Sequence, residues 1–166
     1  MNATTSTAGA ISIAILALSK TAWKLGSALS KLSQEHDLSG NNIKDLADGV
    51  RSLGNECDNV YAELEELVGS NDSRLPWPDE VDGRIWNCLA LQIEESNAIF
   101  RELDKAIMIL RGRNPDFVGQ AHHRRLFDDT YDPVENFRAC VLSITRNLHV
   151  TFLVIQTYVH DQPNIV

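Results

Sequence analysis

A chain of 166 residues is long enough to bury one hydrophobic core without disulfide or metal staples. Its 43% hydrophobic and 23% charged content are those of an ordinary soluble globular protein, and a formal charge of −8 argues against general affinity for the nucleic-acid backbone. Three cysteines, Cys57, Cys88 and Cys140, form an odd count with no CxxC pair. Each falls inside a helical pattern, which points to buried thiols in a reducing compartment. The protein is therefore expected to be cytoplasmic and not secreted, with membrane association left open, and the sequons at Asn2 and Asn71 carry little weight.

The first predicted helix covers about residues 6–34. Ile11, Ile15, Leu18, Ala22, Leu25, Leu29 and Leu32 recur in alternating steps of four and three, which places them on one helix face. The uncharged run Ala8–Leu18 is only eleven residues long, against the roughly 20 that span a bilayer. No basic residue precedes it, so it is not read as a signal peptide. The second helix, about 42–68, carries the longest unbroken seam: Ile43, Leu46, Val50, Leu53, Cys57, Val60, Leu64 and Leu67. Asn41 or Asn42 can cap it and Gly69 ends it. A loop with Pro76 and Pro78 leads to a third helix, about 80–111, with Ile85, Leu89, Ile93, Ser96, Phe100, Leu103, Ile107 and Leu110 on one face.

The longest connection, Arg111 to Tyr131, is expected to hold a short helix near 120–128, because some 20 structureless residues are unusual in a compact domain. The fourth helix, about 133–159, has the clearest start: Asp132 as cap, Pro133 at the first position and Glu135 three past the cap. Its seam is Val134, Phe137, Val141, Ile144, Leu148, Thr151, Ile155 and Tyr158. Four long helices, each with a heptad seam, predict an all-α fold: an antiparallel four-helix bundle forming one domain over 1–166.

Two segments hold more apolar surface than a seam needs. The first half of helix 1 adds Ile13, Ala14, Leu16 and Ala17, and helix 4 carries the run Leu148–Ile155, which includes Phe152 and Leu153. In an up-down-up-down bundle these segments lie at one end, and an apolar pole there needs a cover of protein or lipid. Charge is uneven too. Helix 1 holds Lys20, Lys24 and Lys31, while helix 2 holds Asp45, Asp48, Glu56, Asp58, Glu63, Glu65 and Glu66 against Lys44 and Arg51.

The polar candidates are few. Ser96, Asn97 and Thr151 line a small interior pocket or satisfy one another, and His149 sits on an apolar helix. Arg111, Arg113, His122, His123, Arg124 and Arg125 form a basic cluster that could meet an anion or an acidic partner. Adjacent histidines point in different directions and no second ligand cluster accompanies them, so no metal is expected. With no nucleophile elbow, phosphate loop or dinucleotide fingerprint, no cofactor is expected and catalysis has no positive support.

Several stretches resemble a known family. They are Leu53–Leu67 (LGNECDNVYAELEEL), Asp82–Leu89 (DGRIWNCL), Gly119-Gln120-Ala121 before the basic run, and the opening Ala-Ile-Ser-Ile-Ala. Together these are similar to the fungal N-terminal domains of STAND (NLR-like) proteins, a HeLo-like group that includes a domain named for an azaphilone pigment cluster protein. The resemblance implies a helical signalling or interaction module of the cell-death and incompatibility type. Its partners would be proteins (a second copy or a receptor) or membrane lipid, with Ile11, Ile13, Ile15, Leu16 and Leu18 as an inserting face. A second expectation is a small secondary-metabolism protein that holds or converts an apolar small molecule in the bundle, with Ser96, Asn97, His149 and Thr151 as pocket groups.

Overall fold

The computed structural model describes residues 3–35, 41–69, 83–112 and 133–160, all of them helical. We name the helices α1 (Ala3–Glu35), α2 (Asn41–Gly69), α3 (Gly83–Gly112) and α4 (Pro133–His160). The expected short helix near 120–128 falls outside the described residues. Each helix is about 40–50 Å long at 1.5 Å per residue.

The seams become the core. Every seam residue of α1 is buried, and so are those of α2 from Ile43 to Leu64. In α3 and α4, Leu89, Ile93, Phe100, Leu103, Ile107, Val134, Val141, Ile144, Leu148 and Ile155 join the same cluster. All four helices therefore share one core, an all-α four-helix bundle. Ser96 and Thr151, the two polar breaks in the seams, are buried as well.

The order of the helices around the core is set by what lies beside the seams. α1 packs on α2 and α3, and α4 also packs on α2 and α3, so α1 and α4 occupy opposite corners of the square. The strongly acidic α2 thus has as its neighbours the two helices with a basic excess. The α1 lysines point outward, and on that side the α2 carboxylates are met by Ser12, Ser19 and Trp23. Arg138 and His149 of α4 meet Asp45 and Glu56, contacts worth about 0–1 kcal/mol each when exposed.

Two registers fix direction. Ser12 of α1 meets Glu65 of α2, Ser19 meets Asp58, and Gly26 meets Arg51, each a step of seven forward on α1 and back on α2. These two helices are antiparallel. Asp45 meets Arg138 and Glu56 meets His149, equal steps forward on both α2 and α4, so that neighbouring pair runs in one direction. The second and fourth helices of an alternating bundle must run alike; that they touch is a fact of the packing order.

The α1–α2 interface is also the widest. Small residues beside the seams, Ser12, Ser19, Gly26, Ala47 and Gly54, are all buried there. A Cβ on Gly26 would fall 2.7 Å from Arg51 Cγ and 3.4 Å from the Ala47 carbonyl oxygen, so the absence of a side chain permits this close approach.

Candidate interaction surface

The apolar excess of α1 is mostly absorbed. Ile11, Ile15 and Leu18 are seam residues, buried to 6%, 0% and 0% exposure, and Leu16 is half-buried. They face the core formed with α2 and α3, so they cannot present an inserting face in this arrangement, and the expectation is corrected for them. Ile13 is exposed at 71%, and Trp23, whose indole Nε1 donates to Asp58, at 38%. Beyond Ile13 the outward positions of α1 are Ala17, Lys20, Lys24, Ser27 and Lys31.

α4 is different. Leu142, Val150, Leu153 and Val154 are 50%, 58%, 45% and 47% exposed. Leu142, Arg146, Val150 and Leu153 follow one another at steps of four, four and three, which puts them on one outward face with Val154 on its flank. Phe152, expected to belong to this surface, is buried at 7% exposure; it packs into the core beside Thr151. Leu153 is retained. The corner arrangement also divides the expected apolar pole: Ile13 and the α4 face lie on helices opposite each other across the core, not on one patch.

Several polar groups of α4 are tied within the bundle. Thr145 Oγ1 donates to the Val141 carbonyl at 2.7 Å and Thr157 Oγ1 to the Leu153 carbonyl at 2.8 Å, so both hydroxyls are satisfied within their own helix. The inner flank is tied to its neighbours. Arg138 Nη1 lies 4.0 Å from Asp45 Oδ2, His149 Nδ1 lies 2.7 Å from Glu56 Oε1, and Gln92 Nε2 donates to Thr151 Oγ1 at 2.9 Å. Past Glu135 the helix has no carboxylate. The stretch Val134–Thr157 is long and apolar enough to cross a membrane by length and composition, and only 33% of its most apolar part is buried.

The four pocket candidates do not converge. Ser96 Oγ donates to the Gln92 carbonyl at 2.6 Å, and Thr151 is held by the Gln92 side chain, so these two meet through a residue the sequence analysis passed over. Asn97 is half-buried, and His149 is exposed on the far flank of α4, bonded to α2. The expectation of a shared site for His149 is corrected: position 149 is one past the seam residue Leu148, which turns it toward Glu56. The Gln92 Oε1 is buried without a partner.

Arg111 closes α3, but its side chain and the whole of Arg113, His122, His123, Arg124 and Arg125 lie outside the described residues. Among the described residues no group of three or more His, Cys, Asp or Glu could hold a metal ion. The cysteines do not all follow expectation. Cys57 is buried, Cys140 half-buried and Cys88 exposed, because only Cys57 occupies a seam position. Burial, followed by the charges of Asp58 and Glu56, pushes the Cys57 thiol up to about 12, so it stays protonated and inert.

No protein-family model, no curated protein and no solved structure matches this chain. What the site can do must be argued from the chain itself.

The signal for the α4 face was present in the sequence. Val150, Leu153 and Val154 are large apolar residues off the seam, and Leu142 extends them by two turns. The outward positions of α1 hold alanine and lysine instead.

Proposed function

We propose that this protein is a non-catalytic signalling or interaction module that works by associating with a membrane through the outer face of α4. One observation carries the proposal: α4 holds large apolar side chains on both its core face and its outward face. The resemblance to fungal STAND N-terminal domains supports the same class of role.

The magnitude is informative. Full burial of a Val or Leu side chain is worth about 1.5–3 kcal/mol, and these four are about half exposed. Their transfer to lipid would contribute on the order of 3–5 kcal/mol. That is weaker than a single acyl chain, whose binding is itself marginal and reversible. Association of this strength is peripheral and easily regulated, which suits a signalling module.

The test is flotation of the purified protein with liposomes, with its mass taken from light scattering. The wild-type chain is expected to float, and Leu153→Glu is expected to sink with its helical circular dichroism unchanged. A wild-type chain that binds no liposome overturns the proposal. If it is also a stable dimer, the α4 face belongs to a second copy.

A further inference from the structure

We propose that α4 docks lengthwise on an anionic bilayer, as an intact member of the bundle and not as a spanning segment. This rests on the membrane reading above and adds the lipid class and the geometry.

The geometry follows from the two faces of α4. Val141, Ile144, Leu148, Phe152 and Ile155 are buried in the common core. Spanning a bilayer would require α4 to give up those contacts, together with its ties to Asp45, Glu56 and Gln92. Docking by the outward face costs none of them. A helix with one apolar face turned to lipid and the other to protein lies in the interfacial plane. Between Leu142 and Val154 the exposed charge on the outward side is Arg146, with Ser143 and Asn147 as uncharged polar neighbours of the apolar residues. Thr157, exposed and level with Leu153 and Val154, turns its hydroxyl back on its own helix and so presents little polarity to lipid.

The lipid class follows from charge. A chain of formal charge −8 is repelled by an anionic surface in most orientations. The outward face of α4 is one that is not repelled: past Glu135 the helix has no carboxylate, Arg138 is shared between Glu135 and Asp45, and Arg146 stands among the outward apolar residues. Apolar burial at this face is too weak to anchor the protein alone, so headgroup attraction supplies the second contribution. The outward lysines of α1, at the opposite corner, could also meet an anionic surface, but they are accompanied by Ala17 and Ser27 and not by large apolar side chains. α4 is the helix whose outward face joins a basic residue, Arg146, to Leu142, Val150, Leu153 and Val154.

The experiment uses the full chain with Cys88→Ser and Cys140→Ser, leaving the inert Cys57 in place. An environment-sensitive NBD label is then attached at Val150→Cys, or at Ile13→Cys, both exposed positions that tolerate it. Vesicles are neutral phosphatidylcholine, or phosphatidylcholine with 30% phosphatidylserine. The label at 150 is expected to brighten several-fold on the anionic vesicles and little on neutral ones, while the label at 13 stays dim. Arg146→Gln should weaken binding about five-fold, near the effect of one basic residue at such a surface. Doxyl groups shallow in the bilayer should quench the label at 150 better than deep ones.

Brightening at 13 instead of 150, equal binding to neutral vesicles, or deeper quenching would each overturn the inference while leaving the membrane role standing. Absence of binding to both vesicle types, with helical circular dichroism retained, removes the membrane role as well. Leu153→Cys, at the neighbouring outward position, repeats the measurement should Val150→Cys fold poorly.

Discussion

Helices α1 and α4 both read as apolar on nearly every side, and both stand at corners of the bundle, yet they spend that apolarity differently. In α1 the surplus is short and small. Beside the seam it has Ser12, Ser19 and Gly26, which let α2 come close, and outside it has Ala17 and lysines. In α4 the surplus is Leu142, Val150, Leu153 and Val154, which lie on the outward face away from the neighbouring helices and are left in water. The angular position of a residue around its helix decides whether it joins an interface or remains on an unpartnered face.

The largest expected effect separates buried from exposed apolar positions on α1 itself. Leu18→Glu puts a carboxylate where exposure is 0%, and the desolvation cost of several kcal/mol rivals the whole stability of a small domain. It should abolish the cooperative thermal transition. Ile13→Glu, at 71% exposure, should shift stability by less than about 0.5 kcal/mol in urea titration. Equal effects would show that Ile13 is covered.

Next in size is the close approach of α1 to α2. Gly26→Leu should cost about 1–3 kcal/mol through overpacking against Arg51 and the Ala47 carbonyl, measured by urea unfolding. Gly9→Ala, with open space around it, should be neutral or stabilising by up to about 1 kcal/mol. A neutral Gly26→Leu would mean the two helices are further apart than described.

Hydroxyls offer a finer contrast. Ser19 Oγ of α1 donates across the interface to Asp58, beside the indole Nε1 of Trp23 that donates to the same carboxylate at 3.1 Å. Ser19→Ala should therefore cost about 1 kcal/mol or more. Thr157→Val on α4 removes only a bond within its own helix and should change stability by less than about 0.5 kcal/mol.

The smallest effects concern the thiols. Maleimide should label Cys88 fastest, Cys140 more slowly, and Cys57 only on unfolding. Because the Cys57 thiol is raised from 9.0 to about 12 in the folded state, its contribution is fully present below pH 9. It is lost as pH rises from 9 toward 12, by at most about 1.4 kcal/mol per unit. The stability gap between wild type and Cys57→Ala should narrow over that window; a constant gap would show the thiol to be less buried than described.

Much of the fold was legible in the residues. The alternation of threes and fours located four helices to within a few residues wherever their ends are described, and the described seam residues are buried except Ile85 and Phe137, which are half-buried. The site was legible only in part. Leu153 and Ile13 emerged on the surface as read, whereas Ile11, Ile15, Leu18 and Phe152 went inside. The seam spacing of Ile11, Ile15 and Leu18 already argued for burial, whereas Phe152, off the seam and next to Thr151, gave no such signal. Gln92, a polar residue between seam positions, gave no periodic signal that it would bridge Ser96 and Thr151.

Local spacing thus determined that the chain makes helices, which face of each is apolar, and that those faces must meet, since hydrophobic periodicity and burial are properties of each helix alone. Which helices become neighbours was decided only in three dimensions. That choice depends on side-chain size and charge compared between segments distant in sequence. It set α1 and α4 at opposite corners, placed acidic α2 between them, and left the outer face of α4 exposed, as it did Leu91, Met108 and Ile109 of α3.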